Sequence, residues 1–319
     1  MKTAIGIDIA KRKFDVAALR QGKYKTKTFP NTPQGFEALI GWLDGFSDLH
    51  VCMEATGVYG QALAVFLADR QVPLSVVNPA RIAAYAKSEL ARSKTDRGDA
   101  KLIARFCHEK RDRLNLWQPP APNERALQAL VRRLDSLLEM QQMEHNRLAV
   151  AEAAVRPSLE AVSATLAAQI EAVREQIRRH IDNDPDLRQR RDLLHSIPGI
   201  GEATSAALLG LLGDVARFEN AKQVAAYSGL SPALRTSGEW TGRTRLSKTG
   251  DSLLRKVLYM PALVAWRHNA VIRAFCERLK ANGKNGKAIA CAAMRKLLHI
   301  AYGVLKSGRP FDPEIALAR

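Results

Sequence analysis

The hydrophobic pattern of this 319-residue chain changes at a proline-rich break. Before WQPPAPNER, Trp117 to Arg125, short alternating runs bounded by turn residues are interleaved with runs at helical spacing. After it apolar residues step by three and four. Leu127, Leu130, Leu134 and Leu137 form one stripe, and Leu159, Val162, Leu166, Ile170, Val173, Ile177 and Ile181 a longer one. A period of two and a period near 3.6 bury different faces, so one element cannot satisfy both. The chain is therefore read as an α/β part followed by a helical part.

In the first part, TAIGIDIA reads as a buried strand with Asp8 near its end. KFDVAALR and KYKTKTFP read as two further strands, joined by turns around Lys11–Lys13 and Gln21–Gly22. NTPQGFEALIGWLDGF predicts a helix with Thr32 as N-cap and Pro33 in its first turn. LHVCMEA is a strand ending at Glu54, VYGQALAVFLADR a helix, and VPLSVVNP a strand that stops at Asn78–Pro79. A helix from about Asp99 to Lys110 follows. Three strands in hairpin order, then alternating helix and strand, predict a mixed α/β sheet.

The two stripes beyond the break predict amphipathic helices of roughly 35–50 Å each. Two readings stand: a hairpin packed on its own domain, or a coiled coil that joins protomers or spaces domains. SIPGIGEATS places Gly199 and Gly201 just before a small-residue helix. Such a turn leaves backbone N–H groups able to meet a phosphate, in the manner of a helix-hairpin-helix, or it is a tight interhelical turn. Ser228 to Gly250 is a long polar loop, and helices around Leu253–Trp266, Ala270–Leu279 and Ala288–Leu305 close the chain. The expected domains are 1–117, 118–190 and 191–319.

Cys52, Cys107, Cys276 and Cys291 have no CxxC spacing, which speaks against a zinc site or disulfide framework and for reduced thiols in a cytoplasmic protein. No signal peptide and no membrane span is expected. The net charge of +17 is uneven: residues 241–319 carry 16 Lys/Arg against 4 Asp/Glu, whereas residues 118–240 carry 14 against 16. Beyond a merely basic soluble protein, such a tail predicts a polyanionic partner, first of all nucleic acid.

Against that basic background stand four acids. Asp8 lies on the first strand and Glu54 ends a later one. Asp96 and Asp99 share a helix face at i and i+3, hemmed in by Arg92, Lys94, Arg97 and Lys101. The pair can be ordinary solvated residues. If the sheet has ribonuclease H topology, the four can instead converge as hard oxygen ligands for Mg²⁺ or Mn²⁺, with the cations holding phosphates. Asp15, Asp44, Asp48 and Asp69 read as surface residues.

In this order, GIDIAKRKFDVA, CMEATGVYG, KTDRGDAKLIA, PGIGEATS and YSGLSPALRTSGEWTGRTRLSKTG resemble the DEDD-type transposases of the insertion-sequence 110 family, which includes the Piv-type DNA invertases. The resemblance runs from Ala4 to about Gly308. It implies a RuvC-like N-terminal domain whose four metal-binding acids match Asp8, Glu54, Asp96 and Asp99. It further implies a C-terminal transposase domain whose nucleophilic serine matches Ser237, although the loop also offers Ser228, Ser231 and Ser247. The implied activity is Mg²⁺-dependent DNA cleavage and rejoining through a phosphoserine link at a composite site. Family members also imply dimers or tetramers built through the long helices, and an element-encoded guide RNA that pairs with donor and target DNA. Arg243, Arg245 and Lys248 flank the serine and are expected to touch phosphates.

Three other readings fit parts of the chain. GIDIAKRKFD also resembles the first phosphate loop of actin-like ATPases and sugar kinases, but no second glycine-rich phosphate loop follows Glu54. A junction nuclease would use the acids and water, leaving Ser237 silent. A non-catalytic nucleic-acid binder would bind without Mg²⁺ and without Asp8.

Overall fold

The computed structural model describes residues 2–55, 57–89, 96–233, 236–237, 240–241 and 245–314. Arg92, Lys94 and Arg243 lie outside the described residues. The chain forms two compact units, Met1–Pro119 and Pro120–Arg319.

The first unit is a five-stranded sheet in the order β3-β2-β1-β4-β5, made of β1 (Thr3–Ile9), β2 (Lys13–Arg20), β3 (Lys23–Pro30), β4 (Leu49–Glu54) and β5 (Leu74–Val77). β1, β2 and β3 are antiparallel, while β4 and β5 run parallel to β1. The β2–β3 turn uses Gln21 and Gly22, both at positive φ, as a two-residue hairpin favours. Among the described residues, the α-helices of the unit are α1 (Pro33–Leu43), α2 (Val58–Asp69), α3 (Pro79–Ser88) and α4 (Asp96–Lys110). Thr32 caps α1 as expected, its hydroxyl accepting from the Gly35 amide.

Strand alternation divides the core. Ile5, Ile7, Phe14, Val16, Val51 and Met53 pack with Phe36, Leu39, Leu63 and Leu67 of α1 and α2 on one face. Ala4 and Cys52 face Ile103, Phe106 and Cys107 of α4 on the other, as Ala17 and Leu19 face Ala100 and Ala104. The sheet is thus covered on both faces. α3 departs from the sequence pattern: Pro79 reads as a strand stop, but it stands in the first turn of a helix capped by Asn78, whose Oδ1 accepts from the Ala80 amide (2.8 Å).

The second unit is nearly all helical: α5 (Pro122–Ala149), α6 (Arg156–Asp182), α7 (Pro185–His195), α8 (Glu202–Leu212), α9 (Ala221–Tyr227), α10 (Ser252–His268), α11 (Ala270–Ala281) and α12 (Gly286–Ser307). α5 and α6 are antiparallel, since His180 Nε2 near the end of α6 meets the Asn123 carbonyl at the start of α5 (2.8 Å). Leu127, Val131, Ile170, Val173 and Ile177 join the same core as α8, α10 and α12, so the long helices form one wing of the second unit. α12 is long and apolar enough to cross a membrane by length and composition. Its Ala293, Leu297, Leu298 and Ala301 are buried in that core, which accounts for the composition.

Candidate active site

Parity along the strands decides where the acids go. Asp8 follows Ala4 and Gly6 on the face covered by α4, and Glu54 follows His50 and Cys52 on the same face. β1 and β4 are neighbours in parallel register, Ile7 opposite Met53, so Asp8 and Glu54 are each one residue past that pair. Both are half-buried.

α4 begins at the same edge. Its Ala100 and Ala104 lie on Gly6, where any Cβ would collide with the helix backbone. Further along, the Cys107 thiol donates to the carbonyl of His50, at the far end of β4 (3.3 Å). α4 therefore runs antiparallel to β1 and β4, and its first turn projects over the ends that carry Asp8 and Glu54. Asp96 opens that turn, Arg97 follows it, and Asp99 lies one residue before Ala100. A helix N-terminus also favours nearby negative charge. Asn31 ties the edge together, its Nδ2 donating to the carbonyls of Ala10 and Tyr59 (3.1 Å each).

Asp15 corrects an expectation. It reads as a surface acid, yet it is 4% exposed and pairs directly with Asp8 across β1–β2. Its carboxylate accepts from the Thr28 hydroxyl and lies 3.3 Å from Lys13 Nζ. Thr28, Asp15, Asp8 and Glu54 consequently line one row across four strands.

Asp8 and Glu54, half-buried on adjacent strands, and Asp99 on the helix are hard oxygen donors of the kind a divalent cation takes, with the buried Asp15 beside them. Among the described residues, however, the three ligand-type groups whose atoms lie within 4.8 Å of one another are His50, Cys52 and Cys107. Such a set could hold a soft cation, but hydrogen bonds already engage it. His50 Nε2 meets Ser75 Oγ (2.8 Å), which donates to the Asn115 carbonyl (2.8 Å). The bond to Cys107, together with burial, raises the Cys52 thiol pKa, while burial and Arg111 lower that of His50. Sequence spacing missed this cluster because Cys107 comes from another element. His50, Cys52 and Glu54 alternating on one strand were the available signal.

In the second unit, Ser237 lies in β7 (Thr236–Ser237), paired with β8 (Trp240–Thr241) so that Ser237 faces Trp240 in register. Outside this hairpin β6 (Pro232–Ala233) pairs with β9 (Arg245–Leu246). These two strand pairs are the described part of the expected polar loop, a ribbon with Arg245 exposed on β9 and Lys248 exposed just past it. Of the other expected contacts, Gly199 has φ +104 and its Cα lies against Ala265 of α10, so this glycine serves packing. Gly201 caps α8 and is exposed, with nothing within 4 Å of a Cβ placed there.

Residues 5–151 match the family model DEDD_Tnp_IS110, described as a transposase, and residues 191–277 match the model described as the transposase IS116/IS110/IS902 family. The pilin gene-inverting protein of Moraxella lacunata is 37% identical over 320 residues, covering 98% of this chain and 99% of that protein. The transposase for insertion sequence element IS1111A of Coxiella burnetii is 24% identical over 295 residues, covering 83% and 78%. The transposase for element IS1328 of Yersinia enterocolitica is 29% identical over 160 residues, covering 46% and 44%.

Proposed function

The chain belongs to the IS110 family of transposases, enzymes that cleave and rejoin DNA, and from that premise we propose a recombinase whose acids bind Mg²⁺ and whose nucleophile is Ser237. One observation carries the reading: Asp8, Glu54 and the first turn of α4 meet at one sheet edge. The strand order, with three antiparallel strands and two parallel ones, supports a RuvC-like ribonuclease H fold.

Asp8, Glu54, Asp96 and Asp99 would hold Mg²⁺ or Mn²⁺. When bound, the ion supplies charge stabilisation at the scissile phosphate. Ser237 Oγ forms a bond to phosphorus, loses its proton, and releases a deoxyribose hydroxyl. Attack by the hydroxyl of another strand reverses these bonds and rejoins the DNA. One phosphodiester bond is exchanged for another, so no nucleotide is consumed. Arg245, Lys248, Arg92, Lys94, Arg97 and Arg243 contribute positive charge for the backbone. The α7–α8 turn with Gly201 offers backbone amides to a phosphate in helix-hairpin-helix fashion. A guide RNA supplies sequence recognition, and the long helices join protomers.

The full-length match to a gene-inverting protein favours site-specific inversion as a second reading. A plasmid carrying two candidate sites in inverted orientation separates it from transposition by the product formed.

The test of the chemistry is a denaturing protein gel. Purified protein is incubated with Mg²⁺, labelled DNA carrying the joined ends of its element, and RNA transcribed from the flanking non-coding segment. Labelled DNA migrating with the protein, lost in Ser237→Ala, is the expected result. DNA cut equally by Ser237→Ala with no label on protein would reduce the chain to a metal-dependent nuclease.

A further inference from the structure

The ribbon that bears Ser237 is tied at its base, and we propose that Arg255 is the positioning residue that ties it and thereby fixes where the serine is held. The inference rests on Ser237 being the nucleophile.

Below the β6–β9 tier the two strands enter a neck. Leu230 N donates to Ala225 O (2.8 Å), Ser247 N to Ser231 O (2.9 Å), Lys248 N to Gly229 O (3.2 Å) and Asp251 N to Tyr227 O (2.8 Å). Arg255, in the first turn of α10, closes it. Its Nη1 donates to Ser228 O at the end of α9 (2.9 Å) and to Gly250 O and Asp251 O just before α10 (3.2 Å each). Two hydrogens serve three carbonyls, so one is shared. Each bond is charge-assisted, and Ser228 is fully buried.

The neck has no room for an alternative. Gly250 has φ +146, and a Cβ there would run into the Tyr227 carbonyl and the Gly229 amide. A Cβ on Gly229, at φ +67, would run into the Arg255 guanidinium. The base is anchored in turn to α5. Arg132 Nη2 pairs with Asp251 Oδ2 (2.8 Å), and Lys256 Nζ pairs with Asp135 Oδ1 (2.6 Å) and Glu139 Oε1 (2.9 Å).

Ser237 is six residues past Ser231, on two-residue strands with few ladder bonds of their own. A ribbon of this kind inherits its direction from its base. Attack on phosphorus requires a near-attack geometry, and a shift of ~1 Å can cost ~100-fold in rate. Arg255 touches neither DNA nor the reacting atoms in this scheme. It acts through the neck.

The test uses the full chain in the adduct assay above, with Arg255→Met, Arg255→Lys and Ser237→Ala. Arg255→Met should form the adduct about 100-fold more slowly at saturating DNA while its DNA affinity stays within about threefold of wild type. Amide exchange should accelerate at 229–231 and 247–251 and stay unchanged in α8 and α12. Arg255→Lys, with three donors on one nitrogen, should recover at least about a tenth of the rate. An Arg255→Met adduct rate within about threefold of wild type would overturn the proposal. So would exchange accelerated throughout α8 and α12, since the residue would then be a general stabiliser. If Arg255→Met fails to fold by circular dichroism, Gly229→Ala replaces it with the same expectations, because its Cβ displaces the guanidinium. Ser237→Ala separates the two readings. If it cuts like wild type and wild type carries no label, the serine reading fails and takes this one with it. Loss of adduct in Arg255→Met alongside an intact wild-type adduct supports both.

Discussion

Asp8 and Asp15 stand directly opposite each other on β1 and β2, on the sheet face that α4 covers. Like charges in that position repel. Lys13 and Thr28 engage Asp15, and a divalent cation held by the Asp8 edge would draw on the charge of both acids. Asp15→Asn keeps the side chain's shape and removes one charge. It should raise the Mg²⁺ concentration for half-maximal DNA cleavage by about 3–10-fold, as expected for a group beside the ligands rather than among them. Asp8→Asn should abolish cleavage at any Mg²⁺ concentration while leaving DNA binding intact. An unmoved Mg²⁺ midpoint in Asp15→Asn would show that Lys13 already neutralises the charge.

The far end of the long-helix wing carries apolar residues in water. Met140 is 41% exposed, Met143 50%, Val155 51% and Val162 44%. A surface of this kind is expected to be covered in an oligomer. Met140→Glu, Met143→Glu and Val162→Glu combined should lower the particle mass in light scattering to that of one chain, with helix content unchanged. An unaltered mass would make the wing an internal hairpin only.

Within the second unit, Glu124 of α5 is 7% exposed and accepts from Arg190 Nη1 of α7 (3.0 Å), whose Nη2 also donates to the Gly213 carbonyl after α8. Without Glu124 the largely buried Arg190 guanidinium keeps only the exposed Asp186 carboxylate (3.2 Å) and the Gly213 carbonyl. Glu124→Ala should destabilise the protein by about 3 kcal/mol. Urea denaturation checks this, and a loss below about 1 kcal/mol would place the pair with ordinary surface bridges.

His299 of α12 has a buried Nε2 without a hydrogen-bond partner among the described residues. Burial, then Arg295 and Lys296, push its pKa down to about 4. The folded state holds it neutral where the unfolded chain binds a proton. Its contribution to stability is therefore present above pH 6.5 and is lost as pH falls toward about 4. His299→Leu should remove part of that slope, so its melting temperature should fall less than that of wild type between pH 7 and pH 5. Parallel curves would show that other groups set the acid sensitivity.

Much of this was legible from local pattern. The strands, the turn at Gln21–Gly22, the Thr32 cap and the long helices all follow from period, turn chemistry and capping, which act within a few residues. What escaped depended on partners distant in sequence. Asp15 sits between Phe14 and Val16 and so reads as the polar face of a half-exposed strand, but α4 buries that face too. Gly199 resembles a phosphate-turn glycine until Ala265, 66 residues later, is seen against it. The ribbon around Ser237 is built of two-residue strands, too short to show any period. The order of the acids is legible in the chain, but that the first turn of α4 lies at the edge of Asp8 and Glu54 follows from the direction of α4, which Gly6 and Cys107 reveal only in three dimensions.

Gly6 of β1 places no side chain between itself and α4. Strand and helix meet there backbone to backbone, so no rotamer and no branched side chain can act as a shim between them. The spacing of the acid edge is set by the dimensions of the polypeptide itself, like a bearing whose clearance is machined rather than adjusted. Surfaces elsewhere on the unit can vary while the acid edge keeps its gauge. Gly6→Val would change that gauge at a stroke, without touching a single carboxylate.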